Sequence, residues 1–134
     1  MLPDIQTRAD LELLMDGFYS VALTDPLLGH HFTDLDLESH LPIIVDFWEK
    51  TLLGNPVYFR NPMAVHEHGA KKHPMPPEQF SRWVEIFAKT VDSLFSGPTA
   101  DNAKLRARMI ADSMSQRINP ETRFTNVDIS RLTR

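Results

Sequence analysis

The sequence predicts an all-α fold in a single domain. Apolar residues recur at the i, i+3, i+4, i+7 spacing of one helical face in separate stretches of the chain, and proline and glycine interrupt the pattern between them. No stretch shows the strict alternation that a half-buried β-strand requires. With 134 residues, the chain is long enough for one hydrophobic core but not for two.

The first predicted helix has a clear apolar face and stops before a proline. That face consists of Leu11, Leu14, Met15, Phe18 and Ala22. The helix is expected to end at Asp25, because the residue before Pro26 disfavours helical backbone angles. Residues 26–37 are then predicted to form turns and short helical pieces.

The second predicted helix runs from His40 to about Leu53. Ser39 can cap its N-terminus, and Pro42 would lie in its first turn, where a missing N–H costs little. Gly54 and the following residues 55–56 end it. Residues 55–77 hold five of the ten prolines and have no sustained period, so they predict a long loop with a short helix at about 62–68.

Two further helices are predicted after this loop. The first has the strongest apolar stripe of the chain, formed by Phe80, Trp83, Val84, Phe87, Val91, Leu94 and Phe95. Residues 96–98 break it. The last helix presents a face of small and apolar residues suited to close packing, namely Ala103, Ala107, Ile110, Met114 and Ile118. We therefore expect a globular domain over residues 1–120 and a polar tail over residues 121–134.

Composition excludes several kinds of function. The net charge is −4 and no run of basic residues occurs, which disfavours nucleic acid and anionic membrane surfaces as partners. No apolar run is long enough to cross a bilayer, and the first residues lack the pattern of a signal peptide, so we expect a cytoplasmic protein. The chain has no cysteine, which rules out disulfides, thiolate metal sites and haem attached through a C-x-x-C-H motif.

Three histidines lie close together in the central loop: His66, His68 and His73. A shared zinc site is a weak interpretation, since His66 and His68 would lie roughly 200° apart around a helix, and there is no H-E-x-x-H pair. A haem needs only one axial imidazole, an apolar slot and an open position for a small ligand. Aromatic residues that could form such a slot, or simply a core, are Phe18, Phe32, Phe47, Trp48, Tyr58, Trp83 and Phe87.

Six motifs follow one another along the chain and favour the haem hypothesis. They are FY at 18–19, DPLLGxxF at 25–32, HLxxxxDFW at 40–48, LLG at 52–54, YxxNPxxxH at 58–66 and FxRWxxxF at 80–87. In this order and spacing, the chain resembles the group III truncated haemoglobins, small bacterial globins with a two-over-two helical sandwich. The resemblance extends over about residues 8–118, and the lack of Gly-Gly pairs also fits this group. It implies a non-covalently bound haem b with its iron.

The resemblance assigns the proximal side of this haem to the central loop. His66, four residues after Pro62, matches the proximal iron ligand, and its other ring nitrogen should donate to a backbone carbonyl. Tyr58 opens the same motif. Arg60 stands where the family often has glycine, so it could reach a haem propionate or lie in solvent. His68 and His73 are expected at the surface, with His73 the better candidate for a contact at the haem edge.

The resemblance assigns the distal side to the helices. Tyr19 and Trp83 match distal donors that would hydrogen-bond a bound ligand. His40 matches the gate position, where it could swing between pocket and solvent, bind the iron in a resting state, or merely occupy the start of its helix. Apolar contacts with the haem are expected from Phe32, Ile44 and Phe47. His30 and His31 replace a frequent Pro-Ile pair and are expected to face solvent, although either could alter access to the pocket.

Two haem-based functions and one haem-free function remain open at the sequence level. The first is a globin that binds dioxygen, nitric oxide, carbon monoxide or cyanide. The second is a haem oxidoreductase, a nitric oxide dioxygenase or a peroxidase-like enzyme, which would need a reductase as partner. The third is a helical interaction module without haem. A monomer is the simplest expectation for all three.

Overall fold

Four α-helices form the part of the chain that the structure, a computed structural model, describes: residues 1–32, 36–58 and 76–119. They are α1 (Arg8–Ala22), α2 (Leu37–Leu53), α3 (Pro77–Leu94) and α4 (Pro98–Ile118), and a 3₁₀ turn, Gly29–Phe32, lies between α1 and α2. No strand occurs in these ranges, so the predicted all-α class is confirmed. The predicted helix at 62–68 and the tail at 121–134 lie outside the described residues.

The helices pack as two pairs. α1 lies against α2, α3 lies against α4, and α1 also packs on α3, which joins the pairs into a two-over-two arrangement. None of the described helices is long and apolar enough to span a membrane. The core between the pairs contains most of the buried apolar side chains, and the distal residues expected from the sequence lie in or beside it.

Helix α1 has the predicted apolar face but ends three residues before Asp25, where the sequence analysis placed its end. Thr7 and Asp10 form a capping box, in which the Asp10 amide donates to Thr7 Oγ1 at 3.3 Å and the Thr7 amide donates to Asp10 Oδ2 at 3.0 Å. The predicted apolar face is buried, together with Tyr19. The helix stops at Ala22, before the turn that holds Asp25.

Helix α2 starts three residues earlier than the sequence analysis predicts. Asp36, not Ser39, is the N-cap residue, and the Ser39 amide and hydroxyl donate to its carboxylate at 3.4 and 2.8 Å. Pro42 is therefore inside the helix rather than in its first turn, and the Glu38 carbonyl loses the helical donor that Pro42 lacks. The end of α2 is as predicted, because Gly54 adopts the left-handed conformation (φ 76°) of a helix C-terminus.

Small residues allow the helices of the two pairs to approach closely. Ala103, Ala107 and Met114 of the predicted face of α4 are buried, Ile110 is half-buried, and Ala100 and Ala111 of the same helix are buried as well. Between the pairs, a Cβ added at Gly17 of α1 would lie 3.0 Å from the Thr90 methyl group of α3. A larger side chain at Gly17 would therefore require Thr90 to shift at the α1–α3 contact beside Phe18 and Tyr19.

Candidate functional site

Tyr19 lies at the centre of a group of aromatic rings from three elements. Its ring meets the edge of Phe32, from the 3₁₀ turn, at a centroid distance of 5.4 Å, and that of His40, from α2, at 6.2 Å. It also makes an edge contact with Phe18 on its own helix at 5.1 Å. Three residues that the sequence analysis assigns to the distal side (Tyr19, Phe32 and His40) are therefore neighbours.

Trp83 joins this group through Phe18. The two rings are 5.9 Å apart in an edge contact, and Trp83 stacks on Phe87, one turn further along α3, at 5.6 Å. On its other side Phe87 stacks on Trp48 of α2 at 5.0 Å. Tyr19 and Trp83 are thus held on adjoining sides of one buried ring, Phe18.

Helix α2 presents a half-buried apolar face beside these rings. It consists of Leu37, Leu41, Ile44 and Phe47, each packed against the core but only partly covered by the described residues. The Phe47 ring contacts both Trp48 and Tyr58 at 5.3 Å, which connects this face to the start of the central loop. A flat apolar group on this face would remove it from water.

The two expected hydrogen-bond donors have no partner within the described residues. Tyr19 is 7% exposed, burial raises the pKa of its hydroxyl, and that hydroxyl makes no hydrogen bond there. The same holds for the indole N–H of the half-buried Trp83. An unpaired buried polar group costs about 1–3 kcal/mol, so such a group is informative. A flat apolar group that carries a small polar ligand would satisfy both features. The group would cover the apolar face of α2, and the ligand would accept a hydrogen bond from the Tyr19 hydroxyl.

An ion pair between the buried carboxylate of Asp25 and the half-buried Arg82, next to Trp83, escaped the sequence analysis. The side chain of Asp25 is 2% exposed, and its Oδ1 accepts from Arg82 Nε at 2.8 Å and lies 2.7 Å from Arg82 Nη2. Its Oδ2 accepts from the amides of Leu27 and Leu28 at 3.0 and 3.2 Å. Arg82 holds the pKa of Asp25 below its ordinary value. The only signal in the sequence was that one motif, DPLLGxxF, contains Asp25 and another, FxRWxxxF, contains Arg82.

Comparison with known proteins decides the family. No protein-family model matches the chain. The group 3 truncated hemoglobin ctb of Campylobacter jejuni is 30% identical over 104 residues, which cover 73% of this chain and 80% of that protein. The crystal structure of group III truncated hemoglobin from Campylobacter jejuni matches with a TM-score of 0.77 and 25% identity, over 88% of this chain and 95% of that one. This chain is a group III truncated haemoglobin. The resemblance drawn from the six motifs is thereby confirmed.

The paired histidines of this truncated haemoglobin differ in their surroundings. His30 is exposed, as expected. His31 is half-buried and its Nε2 donates to the side-chain oxygen of Gln79 on α3, so the expectation of a solvent-facing side chain was wrong for this residue. The 3₁₀ turn brings His31 against α3, an arrangement that local sequence does not reveal.

Most residues predicted for the proximal side of this truncated haemoglobin lie outside the described residues, the exception being Tyr58. His66, Arg60 and His73 all belong to that part of the chain, and so does His68, with which His66 and His73 would share the alternative zinc site. Their roles stay predictions. Across residues 1–32, 36–58 and 76–119, no group of three or more histidine or acidic side chains is placed to hold a metal ion.

Proposed function

We propose that this truncated haemoglobin holds a non-covalent haem b and binds dioxygen, and also nitric oxide, carbon monoxide or cyanide, at the haem iron. The observation that carries the proposal is the buried Tyr19 hydroxyl, which has no hydrogen-bond partner within the described residues. Membership of the truncated haemoglobin family supports it. When bound, the haem would supply an iron that can take up a small ligand.

On the distal side, Tyr19 and Trp83 are the proposed donors to that ligand. A diatomic ligand that draws negative charge from the iron accepts such hydrogen bonds strongly, because the surrounding rings exclude water. His40, whose ring contacts that of Tyr19, is the proposed gate. Apolar contacts from Phe32, Ile44 and Phe47 would keep the ligand side of the slot dry.

On the proximal side, His66 is the proposed axial ligand. Tyr58, packed on Phe47, would contact the haem at the border of the slot. Arg60 and His73 are proposed to lie near the propionates, because a cation next to a carboxylate is stabilised there. Each of these roles follows from the position of the residue in the family motif.

The proximal assignment can be tested by absorbance spectroscopy. The protein expressed with haem available should show a Soret band, and His66→Ala should lose it or shift it to the spectrum of a differently ligated iron. His68→Ala and His73→Ala are matched controls from the same loop and should keep the wild-type band position. Normal ligation in His66→Ala would show that the proximal assignment is wrong.

The distal donors can be tested through ligand dissociation rates. Tyr19→Phe should speed dioxygen release by roughly 10- to 100-fold, since a hydrogen bond to a charged group contributes about 1.5–3 kcal/mol. Carbon monoxide release should change much less, because that ligand draws little negative charge. Trp83→Phe should act in the same direction, whereas Tyr58→Phe, the only other tyrosine, should not. Unchanged dioxygen rates in both donor variants would exclude the hydrogen-bonding role.

A further inference from the structure

The Asp25–Arg82 pair connects two elements that carry distal residues. Asp25 belongs to the turn that leads from α1 to the 3₁₀ turn and Phe32, while Arg82 directly precedes Trp83 on α3. One carboxylate oxygen is occupied by the guanidinium and the other by two backbone amides of the turn. The carboxylate thus joins α3 to the turn at a point that is only 2% exposed.

A second contact fixes the same two elements one helical turn earlier. Gln79, three residues before Arg82, accepts the hydrogen bond from His31 of the 3₁₀ turn. The turn itself packs tightly on the end of α1, since a Cβ added at Gly29 would lie 2.7 Å from the Leu23 carbonyl oxygen. The first part of α3 is therefore held against residues 25–32 by directional polar contacts.

Within the described residues, Trp83 itself has only ring contacts to fix its direction. Its neighbours Phe18 and Phe87 make apolar contacts, which are favourable over a range of orientations. Arg82 instead directs Nε and Nη2 at one carboxylate oxygen, Asp25 Oδ1, and hydrogen bonds of this kind tolerate less change in direction than ring contacts do. Arg82, the residue before Trp83, thus adds a directional contact between α3 and the turn to the apolar packing of α3 on α1.

We propose that Asp25 and Arg82 are positioning residues of the distal site, which hold Trp83 and the Phe32–Tyr19 contact in the geometry that a ligand meets. This inference rests on the proposed function, because it assigns a purpose to the geometry of those donors. Neither residue touches the ligand. Their effect is exerted through Trp83 on α3 and Phe32 on the turn.

Ligand rates give the first test. Asp25→Asn removes the charge and Arg82→Lys keeps the charge but loses the fork, so each should release dioxygen about 3- to 10-fold faster, a part of the effect expected for complete loss of a donor. Carbon monoxide release should change by less than about twofold in both. Glu85→Gln is the matched control, since Glu85 is the other, exposed partner of Arg82, and it should leave both rates unchanged.

Fluorine NMR gives a readout that needs no haem. The chain has two tryptophans, so protein labelled with 5-fluorotryptophan gives two signals, and Trp83→Phe identifies one of them. In haem-free and in haem-loaded protein, Asp25→Asn and Arg82→Lys should shift the Trp83 signal and leave the Trp48 signal in place. Glu85→Gln should shift neither.

The outcomes separate this inference from the proposed function. A Trp83 signal that stays in place in both folded variants overturns the positioning role, even where Trp83→Phe itself alters dioxygen release. Equal acceleration of dioxygen and carbon monoxide release also overturns it, because that result indicates general loosening of the pocket. Failure of the distal donors would instead appear as unchanged dioxygen rates in Tyr19→Phe and Trp83→Phe. Should Asp25→Asn not fold, Arg82→Lys, which keeps both charges, decides the matter.

Discussion

Charged residues in this truncated haemoglobin differ in how much their ion pairs contribute to the stability of the fold. The two arginines that form cross-helix ion pairs are about equally exposed, Arg8 at 39% and Arg82 at 31%, so the difference lies in their carboxylates. Asp46 and Glu49, the partners of Arg8, are 32% and 11% exposed, and solvent weakens the Asp46 pair in particular. Asp25 has the same kind of partner but almost no exposure to solvent, and both of its oxygens are engaged. Loss of its charge weakens the hydrogen bonds that it accepts from Arg82 of α3 and from the amides of the turn, which makes Asp25 the more sensitive position.

Unfolding at low pH should reveal how much the charged Asp25 contributes to stability. Its hydrogen bonds with Arg82 lower its pKa in the folded protein below the ordinary value of 3.8, so the stabilisation is present above that pH and is lost as the pH falls through the folded pKa. Asp25→Asn should therefore be less stable than wild type at neutral pH, and the difference should shrink below pH 3.8. Urea unfolding at a series of pH values measures this. A difference that stays constant down to the acid end would contradict it.

Helices and their ends were predictable where they are determined by residues close together in the sequence. The stripes of α1, α3 and α4 follow from periodicity within each helix, and the end of α2 follows from one glycine. The start of α2 was misplaced because Asp36 and Ser39 are both good caps, and only the structure shows that Ser39 donates to Asp36. The cap of α4 was invisible for another reason. Its acceptor, Asp4, lies 95 residues earlier than the amide of Thr99.

Removal of the Asp4 carboxylate should destabilise α4 in particular. Asp4 accepts from the amides of Thr99 and Ala100 at 3.0 and 2.8 Å, while Gly97 at the N-cap offers no side chain. Asp4→Ala should lower the free energy of unfolding by about 1–2 kcal/mol, the usual cost of losing an N-cap acceptor. Asp101→Ala removes an exposed acid from the same turn and should change it by less than about 0.5 kcal/mol. Equal losses in urea unfolding would show that the effect is only one of charge near the helix end.

At the scale of the whole molecule, the candidate site lies where the two helix pairs meet. The motifs identified Tyr19, Phe32, His40, Phe47, Tyr58 and Trp83 individually, and the structure brings them into one chain of ring contacts through Phe18, Phe87 and Trp48. A single sequence cannot reveal which charged residues pair across the fold, so the Asp25–Arg82 contact was missed. The same packing leaves the Leu37, Leu41, Ile44 and Phe47 face of α2 only partly covered within the described residues.

Removal of haem should therefore lower the free energy of unfolding of the whole protein. A ligand that binds only the folded state stabilises it by about 4 kcal/mol when present at a thousand times its dissociation constant, which for a chain of this size corresponds to a rise in Tm of roughly 10–15 °C. Circular dichroism melts of haem-loaded and haem-free protein measure the difference.

The source of that gain can be assigned with variants. His66→Ala and Ile44→Ala should each reduce the rise in Tm, because the first removes the proposed axial ligand and the second removes apolar area from the open face of α2. Leu13→Ala, a change on the exposed side of α1, should leave the rise in Tm on haem binding unchanged. If haem-loaded and haem-free protein melt at the same temperature, the α2 face is covered without haem, and the stabilising role proposed for the cofactor is wrong.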